Sequence, residues 1–429
     1  MSSNYDVLVI GGGICGTALF YQLARHTGIA RIALLEKYDS LATVNSNARS
    51  NSQTLHCGDI ETNYSFDKAK KVKAAADKLA HFAASLPDVE NVMRKHSKMV
   101  LGVGDKEVAF LRDRYEKFKG LYPHMRLLEK AQVAEIEPNV ALIDGQLRPD
   151  NIVALGSTDE YTEMNFGALA QAFADQALST PGKVVEAHLS TKVRSIRKTE
   201  AGFLVKTNRG EFMATCVVVC AGAHSLLLAQ SMGYGLHLST LPVAGSFYYT
   251  PQVLNGKVYT VQNDKLPFAA IHGDPDILLP GKTRFGPTAL VLPKLERYRG
   301  GTTGEFFRTL HFGPAVAKVL WSLIRDPDIR SFMLKNLIFE IPGLRRHRFL
   351  HDVRKIVPSL RLEDLEFAPG VGGVRPQIID REQRRLLLGE AKIDPGTGII
   401  FNMTPSPGAT SCLDIAEGDA RRVVELLEK

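Results

Sequence analysis

The chain is 429 residues long, 45% hydrophobic, and carries 53 basic against 46 acidic side chains, a formal charge of +7. That length can bury a large core and points to two domains rather than one. The small positive excess, with no basic tract interleaved with aromatics, argues against a nucleic-acid partner and leaves an anionic membrane surface or an acidic substrate.

No charged leader or cleavage site precedes the first apolar run, and no stretch reaches the roughly 18 apolar residues that span a bilayer. The five cysteines, Cys15, Cys57, Cys216, Cys220 and Cys412, include no Cys-x-x-Cys and have no histidine cluster beside them. They are expected to be free thiols in a reducing cytoplasm, with no metal site.

In chain order, Tyr5 to Ile10 reads as a strand and Gly11-Gly12-Gly13-Ile14-Cys15-Gly16 as a glycine turn opening a helix. Ile32 to Leu35 is a second strand, ending at Glu36-Lys37. Gly11 permits the tight turn, Gly13 a close approach of main chain to a pyrophosphate, and Gly16 close packing of helix on strand. The helix N-terminus offers unpaired N–H groups to phosphates, and Glu36 is placed to accept hydrogen bonds from a ribose. A carboxylate there disfavours a 2′-phosphate, so the expected ligand is an unphosphorylated dinucleotide.

Farther on, Phe66 to Leu86 and Met164 to Leu178 have helical spacing, Lys183 to Ala187 reads as a strand, and Thr191 to Lys198 with Phe203 to Thr207 as a hairpin. Phe212 to Cys220 is an apolar strand ending at Ala221-Gly222, and Asp414 to Leu427 is a final helix.

Several motifs recur in an order that carries a resemblance: the glycine turn, Asn51-Ser52-Gln53-Thr54-Leu55-His56-Cys57-Gly58, Asn165 to Leu169, Cys220-Ala221-Gly222, Ala270-Ile271-His272-Gly273-Asp274, Gly373-Val374-Arg375-Pro376 and Ser406-Pro407-Gly408-Ala409-Thr410. Together they resemble the two-domain flavin oxidoreductases of the D-amino-acid oxidase and glycerol-3-phosphate dehydrogenase type, and within that group the malate:quinone oxidoreductases, with the L-2-hydroxyglutarate oxidases close by. The resemblance implies an α/β flavoprotein with a discontinuous Rossmann-like FAD domain (residues 1–84, 151–234 and 361–429). A mixed-sheet substrate domain (85–150 and 235–360) would be inserted in it. It implies noncovalent FAD, held by Gly11, Gly13, Ile14, Cys15, Gly16, Glu36, Lys37, Asn51, Ser52, Ala221, Gly222, Gly373, Ser406, Gly408, Ala409 and Thr410. The 406–410 segment would offer N–H groups to the ring where charge builds on reduction.

The implied reaction is oxidation of (S)-malate to oxaloacetate with electrons passed to a membrane quinone; L-2-hydroxyglutarate oxidation is the alternative. Such chemistry needs a base for the hydroxyl proton and a cation for the carboxylates. His272 is the first candidate base, with Asp274 on the same face of an extended segment to hold its ring; His56 is the second. Arg375 is the carboxylate anchor, since a guanidinium grips a carboxylate in a bidentate fork. Arg49 and Gln53 could serve a second carboxylate. A flavin sensor without turnover, a third reading, would need neither His272 nor Arg375.

Between Arg308 and Lys355 stand ten basic residues against four acidic ones. Val316, Val319, Leu320, Leu323 and Ile324 keep helical spacing there, next to Trp321, the single tryptophan. That combination suits peripheral docking on an anionic bilayer, here at the cytoplasmic face.

Overall fold

The structure is a computed structural model that describes residues 3–262, 271–387, 391–403 and 408–428. At its centre strand β1 (Ser3–Ile10) runs parallel to β2 (Arg31–Leu35) on one side and to Gly210–Val219 on the other. Val184–His188 extends the sheet beyond β2, and Ile399–Met403 extends it beyond Gly210–Val219, both in parallel. Helices α1 (Ile14–His26), Phe166–Leu178 and Cys412–Leu427 share one apolar cluster on one face. The hairpin Val193–Thr199/Gly202–Thr207 and helix Ser225–Ser231 contribute to the cluster on the other. A strand covered on both faces must be apolar at every position, which is why Val7 to Ile10 and Val217 to Val219 read as unbroken runs. The sheet draws on three separate stretches of chain, so this half is discontinuous.

A second, mixed sheet of eight strands forms the other half. Its spatial order is Glu366–Phe367, Tyr248–Pro251, Leu279–Gly286, His272–Asp276, Lys257–Thr260, Met93–Val103, Ile152–Met164 and Arg126–Glu129. A smaller sheet pairs Leu238–Ala244 with Val374–Asp380. The two halves meet where the expected boundaries shift. Ile152–Met164, expected on the cofactor side, pairs along its length with Met93–Val103, and the cofactor half resumes only at helix Phe166–Leu178. An apolar stretch such as Ile152 to Leu155 suits either sheet, and the long-range partner decides.

The basic region folds into helices Thr303–Leu310, Pro314–Arg325, Pro327–Ile338 and Arg345–Val353. The apolar stripe expected to face outward is divided. Val316 and Val319 are buried against Leu295, Phe306, Leu310 and Ile379, with Leu320 and Leu323 packed beside them. Ile324 of the stripe stands in solvent, together with Phe307, Phe312, Trp321, Leu334, Leu337 and Leu344, Phe312 and Trp321 being more than 60% exposed. Among the described residues no helix is long and apolar enough to cross a membrane.

Candidate functional site

The glycine turn is shaped by its neighbours. A Cβ on Gly16 would lie 1.9 Å from the Gly11 carbonyl oxygen, and one on Gly11, at φ +112°, would lie 2.5 Å from the Cys220 carbonyl oxygen. Gly13 differs, because a Cβ there would meet only Ser46 Oγ, at 3.1 Å. Gly13 is the N-cap of α1, and with Ile14 and Cys15 it lines a cavity. Ile14 N–H donates to Ser46 Oγ at 2.9 Å, and Gly12 N–H donates to Glu36 Oε2 at 2.7 Å, which fixes the carboxylate at the end of β2.

That cavity has a volume of 770 Å³. Its first end is lined by Gly11, Gly13, Glu36, Lys37 and Thr191 to Arg194; its second by Asn51, Ser52, His56, Arg375, Gly408 and Ala409. At the second end His56 Nδ1 lies 2.6 Å from Glu61 Oε1, and Glu61 Oε2 accepts from Gly58 N–H at 2.7 Å. Burial alone would raise the Glu61 pKa, but the hydrogen bond and charge of His56, with Lys98 nearby, hold it below the ordinary carboxylate value. Among the described residues His56 Nε2 has no hydrogen-bond partner, and His56 lines the cavity.

Arg375 is the second residue of the strand Val374–Asp380, which leaves the second end. Asn45 clasps the main chain just before it, with Val374 N–H donating to Asn45 Oδ1 at 3.1 Å and Asn45 Nδ2 donating to Val374 O at 2.7 Å. Gly373 is pressed against the neighbouring loop, where a Cβ would lie 2.4 Å from Ser50 O. Burial lowers the Arg375 pKa, and the hydroxyls of Tyr259 and Tyr64 lie near enough to act against that; a guanidinium remains charged regardless. His272 is buried beneath Tyr259, the rings stacked 4.3 Å apart at 5°. The pairing expected from the extended spacing is present, His272 Nε2 lying 3.4 Å from Asp274 Oδ1.

Comparison with known proteins agrees with this geometry. The family model described as FAD dependent oxidoreductase matches residues 6–417. The chain is 50% identical to a probable malate:quinone oxidoreductase of Campylobacter jejuni, covering 99% of this chain and 96% of that one. It is 46% identical to a malate:quinone oxidoreductase of Helicobacter pylori, over 100% and 96%. The chain belongs to the malate:quinone oxidoreductase family of FAD-dependent oxidoreductases. Glycine oxidase from Geobacillus kaustophilus has the same fold, with a TM-score of 0.66 at 19% identity over 100% of this chain and 95% of that one.

The residues present in this malate:quinone oxidoreductase family member fit FAD. The α1 N-terminus lines the cavity where a pyrophosphate would lie, Glu36 is fixed at the ribose position, and Gly13 presents bare main chain there. Of the expected cofactor residues, Gly11, Gly13, Ile14, Cys15, Glu36, Lys37, Asn51, Ser52, Ala221, Gly222, Gly373, Gly408 and Ala409 line the cavity. Gly16 packs behind it. Thr410 is buried and accepts from His56 N–H at 3.1 Å. Ser406 lies outside the described residues. Lys37 is engaged by Glu296, which also accepts from the Tyr38 hydroxyl.

Two expected substrate ligands are not brought to the wall. Gln53 is fully buried, its Nε2 donating to Ala48 O at 3.2 Å and its Oε1 accepting from Ile277 N–H at 3.1 Å. A carboxamide held at both ends fastens a loop. Arg49 is exposed, with Nε donating to Asn47 Oδ1 at 3.4 Å. His272 is likewise absent from the cavity lining, whereas His56 is in it. Sequence reasoning missed Glu61, Tyr259, Asn45 and Ser46. Glu61 follows His56 by five residues in a loop, where no period assigns a direction.

Proposed function

We propose that this protein oxidises (S)-malate to oxaloacetate and delivers the electrons to a membrane quinone. The observation that carries the reading is that a half-buried arginine and a carboxylate-held histidine stand at one end of a cavity whose other end is a dinucleotide loop. When bound, FAD supplies the acceptor for the hydride leaving C2 and the route by which two electrons go on to a quinone. Arg375 takes a substrate carboxylate in its fork, fixing which face of C2 is presented. His56 Nε2 receives the hydroxyl proton as the carbonyl forms, while Glu61 holds Nδ1–H and stabilises the imidazolium. His56 is preferred to His272 as base because it lines the cavity. His272 and Asp274 lie behind Tyr259, whose hydroxyl is 3.0 Å from Oγ1 of the cavity-lining Thr54.

Quinone tails lie in lipid, so the protein docks peripherally, and the 308–355 region is the proposed surface. The exposed Phe312, Trp321, Leu334 and Leu337 stand among exposed Lys318, Arg325, Arg330 and Arg348. Arg346 and Lys355 are spent on Leu362 O and Glu107.

The test is anaerobic bleaching of the bound flavin by a panel of 2-hydroxy acids. Malate should bleach it fastest. Faster bleaching by 2-hydroxyglutarate would replace the substrate, and no bleaching by any member would leave a binding protein. In parallel, the Lys318→Glu, Arg325→Glu, Arg330→Glu combination should detach the protein from anionic vesicles, at about 1 kcal/mol per charge. It should spare activity with a soluble dye and lower activity with a long-tailed quinone. Unchanged vesicle binding would move the docking surface elsewhere.

A further inference from the structure

Beneath the second end of the cavity lies a buried group of charges that the reaction as described does not use. Lys257 and Arg284 are 1% and 0% exposed, Asp274 and Asp276 1% and 3%. Lys257 Nζ lies 3.2 Å from Asp274 Oδ2, and Arg284 Nη1 lies 3.5 Å from Asp276 Oδ2. Arg284 Nη2 is 3.9 Å from Asp274 Oδ2. Two cations thus face two anions shielded from solvent, with the buried Glu163 near enough to act on Asp274.

The cations do more than neutralise their partners. Arg284 Nη1 donates to Ala48 O at 3.2 Å and Nη2 to Asn51 O at 3.0 Å, while Lys257 Nζ donates to Ser52 O at 3.3 Å. Three carbonyl oxygens of one loop are therefore gripped from below by side chains of the other half's sheet. Asn51 and Ser52 are themselves cavity wall. Asp276 completes the grip, since it accepts from Gln53 Nε2 at 3.4 Å and from the Leu278 and Leu279 N–H groups. The Arg284 guanidinium also sits over the ring of Phe247, 4.5 Å from its centroid, and Phe247 lines the cavity.

We propose that Lys257, Arg284, Asp274 and Asp276 are positioning residues that hold the Asn51–Ser52 wall against the flavin ring and, through their charges, set the flavin's reduction potential. This deepens the function proposed above and rests on the ring lying at the His56 end of the cavity. A reduced flavin carries more negative charge than an oxidised one. A neighbouring cation in a shielded site favours reduction and a neighbouring anion opposes it. Removing a cation therefore shifts the local field toward negative, and removing an anion shifts it toward positive.

The experiment measures the flavin midpoint potential by dye equilibration in the FAD-loaded protein. Lys257→Met should lower the potential and Asp276→Asn should raise it. Each should change the ratio of reduced to oxidised flavin at a fixed poise by on the order of tenfold, about 30 mV for two electrons. Lys257→Arg keeps the charge and should stay at the wild-type potential. The KM for the 2-hydroxy acid should hold in all three, because Arg375 is untouched, while kcat follows the potential. A merely structural role predicts shifts of the same direction, or none. Either result from FAD-loaded Lys257→Met and Asp276→Asn overturns the proposal. Should Lys257→Met fail to fold, Asp276→Asn decides alone: a potential equal to or below wild type overturns the proposal. Because the potential is read with a dye couple, a protein that holds FAD yet oxidises no 2-hydroxy acid leaves this test intact.

Discussion

At the Gly11–Gly16 end of the cavity the wall is main chain: an open helix terminus and glycines whose missing side chains keep neighbouring strands in contact. At the Arg375–His56 end it is side chains, delivered from loop 45–61, the strand Val374–Asp380 and the turn at Gly408. The glycine turn and Glu36–Lys37 of the first end come from one stretch of 37 residues, and Thr191 to Arg194 close it. The second needs segments more than 300 residues apart. Main-chain recognition tolerates side-chain change but not added volume; charge recognition tolerates modest volume change but not a lost fork or a misplaced ring.

Substitutions can break or sharpen that contrast. The largest effect is expected for Gly16→Val, since a Cβ 1.9 Å from a carbonyl oxygen cannot be accommodated without moving β1. Such protein should be colourless or insoluble, and a soluble yellow variant would show that the turn yields. At the other end, Arg375→Lys keeps charge but loses the fork. It should cut kcat/KM by on the order of 10³-fold while FAD stays bound, checked by absorbance and steady-state kinetics. Next comes His56→Ala, expected to slow anaerobic flavin reduction by on the order of 100-fold. His272→Ala should cost less, through the Tyr259 ring that it stacks on and that in turn holds Thr54. The reverse ranking in stopped-flow traces would make His272 the base.

The smallest effect concerns acid stability at the dinucleotide end. The His224 hydrogen bond, against burial, draws the Glu305 pKa down to about 2 from its ordinary 4.5. A depressed carboxylate stabilises the fold above its unfolded pKa and loses that contribution as pH falls toward the folded value. Between pH 4.5 and 2, wild type should lose more of its denaturation midpoint than Glu305→Gln does. Parallel curves would remove this pair from the acid response.

The same contrast explains what could be read from the chain alone. β1, the glycine turn, α1 and β2 are contiguous, each with its own period and punctuation, so their geometry and ligand class were legible. Arg375 was legible as a cation beside a glycine pair. His272 and Asp274 were legible as a pair, because alternation along a strand is local. What stands in front of them was not, since Tyr259 comes from the adjacent strand. Gln53 was misread because its partners, Asp276 and Ile277, lie more than 220 residues away in sequence. The apolar stripe near Val316 was read as outward-facing because periodicity reveals a face but not which side is covered.

The long strand Ile152–Met164 has a mechanical consequence. It begins deep in the mixed sheet and ends against the cofactor loop, where Met164 N–H donates to Gln53 O at 2.9 Å and Leu55 N–H to Thr162 O at 3.0 Å. The two halves are spliced by shared main-chain bonds rather than hinged, so a rigid swing of one from the other would tear the seam. Substrate therefore enters without a swing of the two halves, and the Leu55 and Met164 amides should exchange with deuterium only as slowly as the whole molecule unfolds.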